Sequence, residues 1–169
     1  PLTVEPVVLK PFFGGVIDRV RQRWGPEGKT VSLIEDYQAK TANLDPLQVE
    51  RVLHNLLDNA FEAGASKVDL QANASDQGVT IIISDNGAGI PDAAVAHLFD
   101  AFKGSTKRGG TGLGLPVSRK ILQEHGGEIR VGSTTGVGSR LDLEFPAAAC
   151  DPAVTFDTRT EHFPTEHGR

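Results

Sequence analysis

"RGGTGLGLPVSRKIL" occupies residues 108–122. Four glycines fall within six residues, at 109, 110, 112 and 114, and a helical pattern starts at once behind them. Glycine is costly inside a helix and conformationally free in a loop. A run of it feeding straight into a helix start therefore has two readings. One is a hinge or tight turn. The other is a cradle for a phosphate, drawn to the unpaired N–H groups of a helix N-terminus. The rest of the chain decides between them.

The 169 residues suit one domain with a real core, and 38% hydrophobic with 23% charged residues is ordinary for a globular protein. A net charge of −5 argues against nucleic acid or an anionic membrane surface as the main partner. One cysteine, Cys150, cannot form an internal disulfide, which fits a reducing compartment. No apolar run approaches the roughly 18 residues of a membrane span, and no signal peptide opens the chain. The expectation is a cytoplasmic domain without membrane contact of its own, compatible with an anchor elsewhere in a parent protein. Methionine is absent, even at position 1, so a piece of a longer protein is expected.

Periodicity divides the chain. Residues 3–9 read as a short edge-like strand containing Pro6. "FFGGVIDRVRQRW" has Phe13, Ile17 and Val20 at helical spacing, ending near Trp24, and "TVSLIEDY" alternates as a strand. From Asp45 to Ala63 runs the clearest helix. Asp45-Pro46 supplies its cap and first position, Gly64 its stop, and Val49, Val52, Leu53, Leu56, Leu57 and Ala60 one apolar stripe. "KVDLQANA" and "GVTIIISD" form a hairpin around "SDQG". A glycine loop (85–91), a short helix (92–99), a helix from about Thr111 to Glu124 and the strands "GEIRVGS" and "SRLDLEF" follow. Beyond Pro146 periodicity is lost, so 1–146 reads as the domain and 147–169 as a tail or linker. This order predicts an α+β two-layer sandwich, a mixed sheet packed against helices.

Several motifs mislead. "EGKT" (27–30) lacks the P-loop's first glycine, since position 23 is Arg, and a strand follows it. "GTGLG" has the wrong spacing for a dinucleotide fingerprint. His54, His97 and His125 lack metal-ligand spacing.

On the helix 45–63, Gln48, Arg51, Asn55, Asn59 and Glu62 share a face beside the apolar stripe. Asparagine is a mediocre helix former, so two of them one turn apart imply a task. An amide carbonyl can ligate Mg²⁺ when substrate phosphates supply other ligands; a solvated face is the plain alternative. "TIIISDNGAGIPD" sets Asp85 and two alternating glycines at a strand end. There a carboxylate can accept a hydrogen bond from an exocyclic amine while the glycines let backbone close on a flat ring. Alone, a "DNG" turn explains it equally well.

In order, "NLLDNA", "DNGAGI" and "GGTGLGL" resemble the asparagine box and two glycine boxes of the GHKL ATP-binding superfamily, whose fold is the Bergerat type. Within it the resemblance is to the catalytic ATP-binding domain of bacterial sensor histidine kinases. "HLFDAF" is similar to that family's phenylalanine box through Phe99 and Phe102, and "GGEIRVGSTTGVGSRLDLEFP" to its closing hairpin. The resemblance covers about residues 3–146. It implies ATP and Mg²⁺ as cofactors, with Asn59 on the metal and Asn55 on phosphates or metal. It implies that Asp85, helped by Ser139, holds the adenine amino group while Gly87 and Gly89 let the ring approach. It also implies a phosphate-binding segment made of Thr106, Lys107, Arg108, Gly110, Thr111, Gly112, Leu113 and Gly114. Lys107 neutralises phosphate charge in that reading, and Asn55 and Lys107 are its candidate catalytic residues. The seven residues "KGSTKRG" between Phe102 and Gly110 look like a short ATP lid, expected to be mobile without ligand. A basic solvated loop is the alternative.

Two features depart from the family. Glu62 stands where many histidine kinases carry a lysine, and the phosphoacceptor motif "H-E-x-R-T-P" is nowhere in the chain. The resemblance thus implies a protein-histidine kinase fragment. Its partners are its own dimerisation and phosphoacceptor domain, absent here, and a response regulator. Two alternatives stand beside it. A gyrase- or mismatch-repair-like ATPase carries a glutamate base where this chain has Asn55; a degenerate nucleotide-binding regulator is favoured only by Glu62. Lys107→Ala is expected to cost ATP more than ADP by about 1 kcal/mol in a binding titration, the worth of a solvent-accessible charge contact.

Overall fold

Strict alternation along "KVDLQANAS" and "GVTIIISD" gives two strands with one dry face each, and the sheet is built outward from them. In the computed structural model, which describes residues 1–100, 114–134 and 136–146, seven strands and four α-helices are assigned among the described residues. In chain order they are β1 (Glu5–Val8), α1 (Leu9–Trp24), β2 (Thr30–Tyr37), β3 (Thr41–Leu44) and α2 (Pro46–Glu62). There follow β4 (Lys67–Ser75), β5 (Gly78–Asp85), α3 (Asp92–Val95), α4 (Gly114–Glu124), β6 (Glu128–Thr134) and β7 (Gly138–Phe145).

The main sheet has the order β2-β4-β5-β7-β6. Its β2–β4 pair is parallel and its other pairs are antiparallel. A parallel pair needs a crossover, and α2 lies within the one joining β2 to β4. The inner face carries Val68, Leu70, Ala72 and Ala74 of β4, Val79, Ile81 and Ile83 of β5, and Leu143 and Phe145 of β7, all buried. Against it lie Phe13, Val16, Ile17 and Val20 of α1, the apolar stripe of α2, and Ile121 and Leu122 of α4. The outer face is polar, with Arg130–Glu144 (3.0 Å) and Arg140–Asp142 (2.8 Å) ion pairs across it. The α+β two-layer sandwich with a mixed sheet is therefore observed.

Some local expectations shift. β1 pairs with β3 in a separate two-stranded sheet, and β3 is an element that periodicity missed because four residues are too short to show alternation. The helix expected over 92–99 closes after Val95. His97, Leu98 and Asp100 donate backbone bonds to carbonyls three residues back, so the segment continues as tight turns rather than α-helix. Phe61 joins the buried stripe of α2, while Ala60 is only partly buried. The start of the helix expected from Thr111 lies outside the described residues. Among those described, no helix is long and apolar enough to cross a membrane.

Helices α2 and α4 run antiparallel. At one end the Asp45 N–H donates to His125 Nε2 (3.1 Å); at the other, a Cβ placed on Gly114 would lie 3.5 Å from Asn59 Nδ2. α1 is fastened to α2 by Trp24 Nε1 donating to Asp58 Oδ1 (2.7 Å), with the Trp24 and Phe61 rings 5.3 Å apart.

Ser118 on α4 is fully buried, and its hydroxyl has no hydrogen-bond partner among the described residues. A buried, unpaired hydroxyl is a net cost. Ser118→Ala is therefore expected to leave stability unchanged or raise it by up to about 1 kcal/mol in denaturant unfolding, whereas most buried-to-Ala changes lower it.

Candidate functional site

Asp85 is the last residue of β5, where the strand leaves the sheet and its carboxylate can turn back over the loop. Its Oδ1 accepts from the Gly87 N–H at 2.8 Å. A Cβ at Gly87 would lie 3.0 Å from that oxygen and 3.7 Å from Ala65, so the loop lies close against the turn that ends α2. Asp85 Oδ2 has no protein partner among the described residues, and the side chain is half-buried. One oxygen thus holds the loop and the other is left to receive a donor.

The loop is fixed from two further sides. Asn86 Oδ1 accepts from the backbone N–H of Ser66 and of Lys67, both at 3.0 Å, and its Nδ2 donates to Ser66 Oγ. From the β6–β7 hairpin, the Gly136 N–H donates to the Ala88 carbonyl. Gly138 lies so close that a Cβ on it would come within 2.0 Å of the Asp85 carbonyl oxygen. Gly89 takes a left-handed φ of 79°, turning the chain toward α3. Asn86 and Gly138 escaped the sequence reading. The "DNG" and "GVG" turns pointed to the neighbourhood, but the partners are 20 and 53 residues away.

On α2, Asn55 and Asn59 are both half-buried, on the border between the apolar stripe and solvent. The Asn55 side chain makes no hydrogen bond among the described residues, which leaves its amide open to a ligand. Asn59 lies beside Gly114, the first residue of α4. Glu62, whose position raised concern, is exposed at the last turn of α2. α2 is thereby flanked by the Asp85 loop at its end and by the start of α4 along its polar side. Ser139 is half-buried in β7, next to Gly138. Amide oxygens on one side and a carboxylate with a spare oxygen on the other are a donor set that fits a divalent cation with an amine-bearing ring.

Thr106, Lys107, Arg108, Gly110, Thr111, Gly112 and Leu113 lie outside the described residues, as do Phe102 and the expected mobility of their segment. Just before them, Phe99 packs against the core edge under the Arg119 guanidinium, 5.1 Å from the ring centroid. Arg119 Nε also donates to Glu128 Oε1 at 3.0 Å. That bond, with the Ile129 N–H, holds the Glu128 carboxyl below its ordinary range.

Residues 44–149 match the family model described as histidine kinase-, DNA gyrase B- and HSP90-like ATPase. The chain is 37% identical over 138 residues to the alginate biosynthesis sensor protein KinB of Pseudomonas aeruginosa, covering 78% of this chain and 23% of KinB. To the sensor protein kinase WalK of Staphylococcus epidermidis it is 32% identical over 145 residues, covering 79% of this chain and 24% of WalK. The chain thus spans about a quarter of the length of these relatives. Among solved structures it resembles the catalytic domain of histidine kinase ThkA, with TM-score 0.73 at 24% identity over 86% of this chain and 97% of the other. The mycobacterial sensor histidine kinase MprB gives TM-score 0.70 at 24% identity, over 85% and 97%.

Gly138→Ala must push the hairpin off the Asp85 carbonyl at a φ of 138° that other residues rarely adopt. It is expected to cost about 2–4 kcal/mol in denaturant unfolding. Gly132→Ala, where an added Cβ meets nothing within 4 Å, is expected to change stability by less than about 1 kcal/mol.

Proposed function

Because the chain belongs to the histidine kinase-, DNA gyrase B- and HSP90-like ATPase family, we propose that it binds Mg-ATP and donates the γ-phosphoryl to a histidine on a separate dimerisation domain in two-component signalling. Its closely similar relatives are named as sensor proteins and sensor kinases, which supports that assignment. In this reading residues 1–146 are the catalytic unit and 147–169 a tail.

The observation that carries the proposal is that α2 lies between the Asp85 loop and Gly114 of α4. Asp85 holds one oxygen on Gly87 N–H and keeps the other for the adenine amino group, with Ser139 beside it and Gly87 and Gly89 leaving room for the ring. Asn59, with Asn55 one turn earlier, presents amide oxygens to the metal. The phosphates are assigned to Gly114, the first described residue of α4, together with Thr106, Lys107, Arg108, Gly110, Thr111, Gly112 and Leu113, glycine-rich and cationic residues suited to that role. Mg²⁺, when bound, neutralises phosphate charge. This chain's residues orient the nucleotide and stabilise developing charge, which is most of what phosphoryl transfer demands.

A nucleotide titration tests the proposal. Asp85→Asn is expected to weaken ATP and ADP alike by about 1.5–3 kcal/mol, since adenine is common to both. Asn59→Ala is expected to abolish the Mg²⁺ dependence of ATP affinity with the fold intact. Wild-type affinity that ignores Mg²⁺ would sink the metal role, and an Asp85→Asn that separates ATP from ADP would move Asp85 to the phosphates.

A further inference from the structure

The far end of the α2–α4 pair holds a second polar constellation. Asp45, which caps α2, is 5% exposed and bonded to three segments. Its Oδ1 accepts from the Gln48 N–H (3.2 Å), its Oδ2 from the Thr3 N–H (2.8 Å), and its own N–H donates to His125 Nε2 (3.1 Å). His125 follows the last turn of α4. Its Nδ1 lies 2.8 Å from the Ile121 carbonyl oxygen, which can only accept, so Nδ1 carries the proton and Nε2 offers its lone pair to Asp45. The Phe145 ring, 5.3 Å away and at 89°, holds the imidazole edge-on.

We propose that the Asp45–His125 junction is a positioning element of the nucleotide site. It sets the sliding register of α2 against α4 and thereby the placement of Asn59 against the start of α4. This rests on the functional reading above. Between the junction and the site, Leu53 and Leu57 of α2 and Ile121 and Leu122 of α4 are buried in one apolar cluster. Apolar contact is non-directional and tolerates sliding, whereas a hydrogen bond accepts one geometry. At 1.5 Å per residue, Asn59 lies about 21 Å from Asp45 along α2, and Gly114 about 17 Å from His125 along α4. Helices carry an axial shift over such lengths nearly undiminished. A displacement at the junction therefore reappears where Asn59 faces Gly114. Directional polar contacts that choose one register among several are an established use of partly buried polar groups.

Two variants of the whole chain test this. His125→Phe keeps the ring against Phe145 and removes both hydrogen bonds; His125→Gln restores an acceptor near the Nε2 position. Mg-ADP affinity is measured well below each variant's melting temperature, where all are folded, and amide hydrogen exchange is followed without nucleotide. His125→Phe is expected to weaken Mg-ADP about three- to tenfold and to speed exchange both in the first turn of α2 and around Asn59 and Gly114. His125→Gln is expected to recover most of the affinity. A His125→Phe that melts lower but binds as wild type, with faster exchange confined to the first turn of α2, would overturn the proposal and leave a local structural role. Should wild type bind no adenine nucleotide, the functional reading falls, and the exchange pattern alone still decides the junction.

Discussion

α2 must be dry along one stripe and wet along the next, and the molecule is arranged around that boundary. Val49, Val52, Leu53, Leu56, Leu57 and Phe61 are buried, while Gln48, Asn55 and Asn59 are half-buried and Arg51 and Glu62 exposed. Rotating the helix inward would strand the Asn55 amide in apolar surroundings, at a cost of about 1–3 kcal/mol. Rotating it outward would expose several large side chains at about 1.5–3 kcal/mol each. Both penalties hold the asparagines at the rim of the helical layer, where a ligand can reach them. The capping carboxylate of Asp45 and the Trp24–Asp58 hydrogen bond fix the same rotation from either side.

The Asp85 loop obeys a different constraint, the close approach of backbones. Two segments distant in sequence converge on residues 85–89: the turn after α2 through Asn86, and the β6–β7 hairpin through Gly136 at its tip and Gly138 at the start of β7. Asparagine satisfies two backbone donors at once, and glycine removes the Cβ that would separate the strands. The outcome is a carboxylate whose position is fixed before any ligand arrives. On the proposed function, such preorganisation spares nucleotide binding the cost of ordering the loop.

How much of this was legible followed the range of the determining interactions. Elements with strong periodicity, α2 and the β4–β5 hairpin, were readable within a residue or so, because burial of one face is written into the residues themselves. β3 was not readable: "TANL" owes its strand state to pairing with Glu5–Val8. The expected helix 92–99 overran because nothing in "DAAVAHLF" marks where four-residue spacing tightens to three. Asn55, Asn59, Asp85, Gly87 and Gly89 were singled out from types and spacing; the structure carries Asn55 and Asn59 on α2 and Asp85 at the end of β5, with Gly87 against the turn that ends α2. Asn86 and Gly138 were legible only as turn residues, Asp45 as a cap and His125 as a histidine without metal-ligand spacing; none was legible as a fastener, since their partners are reached only through the tertiary fold.

The acids of α2 also bear on which chemistry this surface favours. Glu50 is engaged by Arg19 and His54, and Asp58 by the Trp24 indole on the side facing α1. Glu62 sits exposed in the last turn. At Asn55 and Asn59 the polar stripe is therefore presented by amides, and Glu62, on the same stripe, lies exposed at the end of the helix. An amide orients and ligates without serving as a base. In the proposed reading, a nucleotide held at Asn55 and Asn59 meets amide ligands, with no base at either position. On the proposed function, that choice of amides favours phosphoryl transfer to a nucleophile from another domain over ATP hydrolysis.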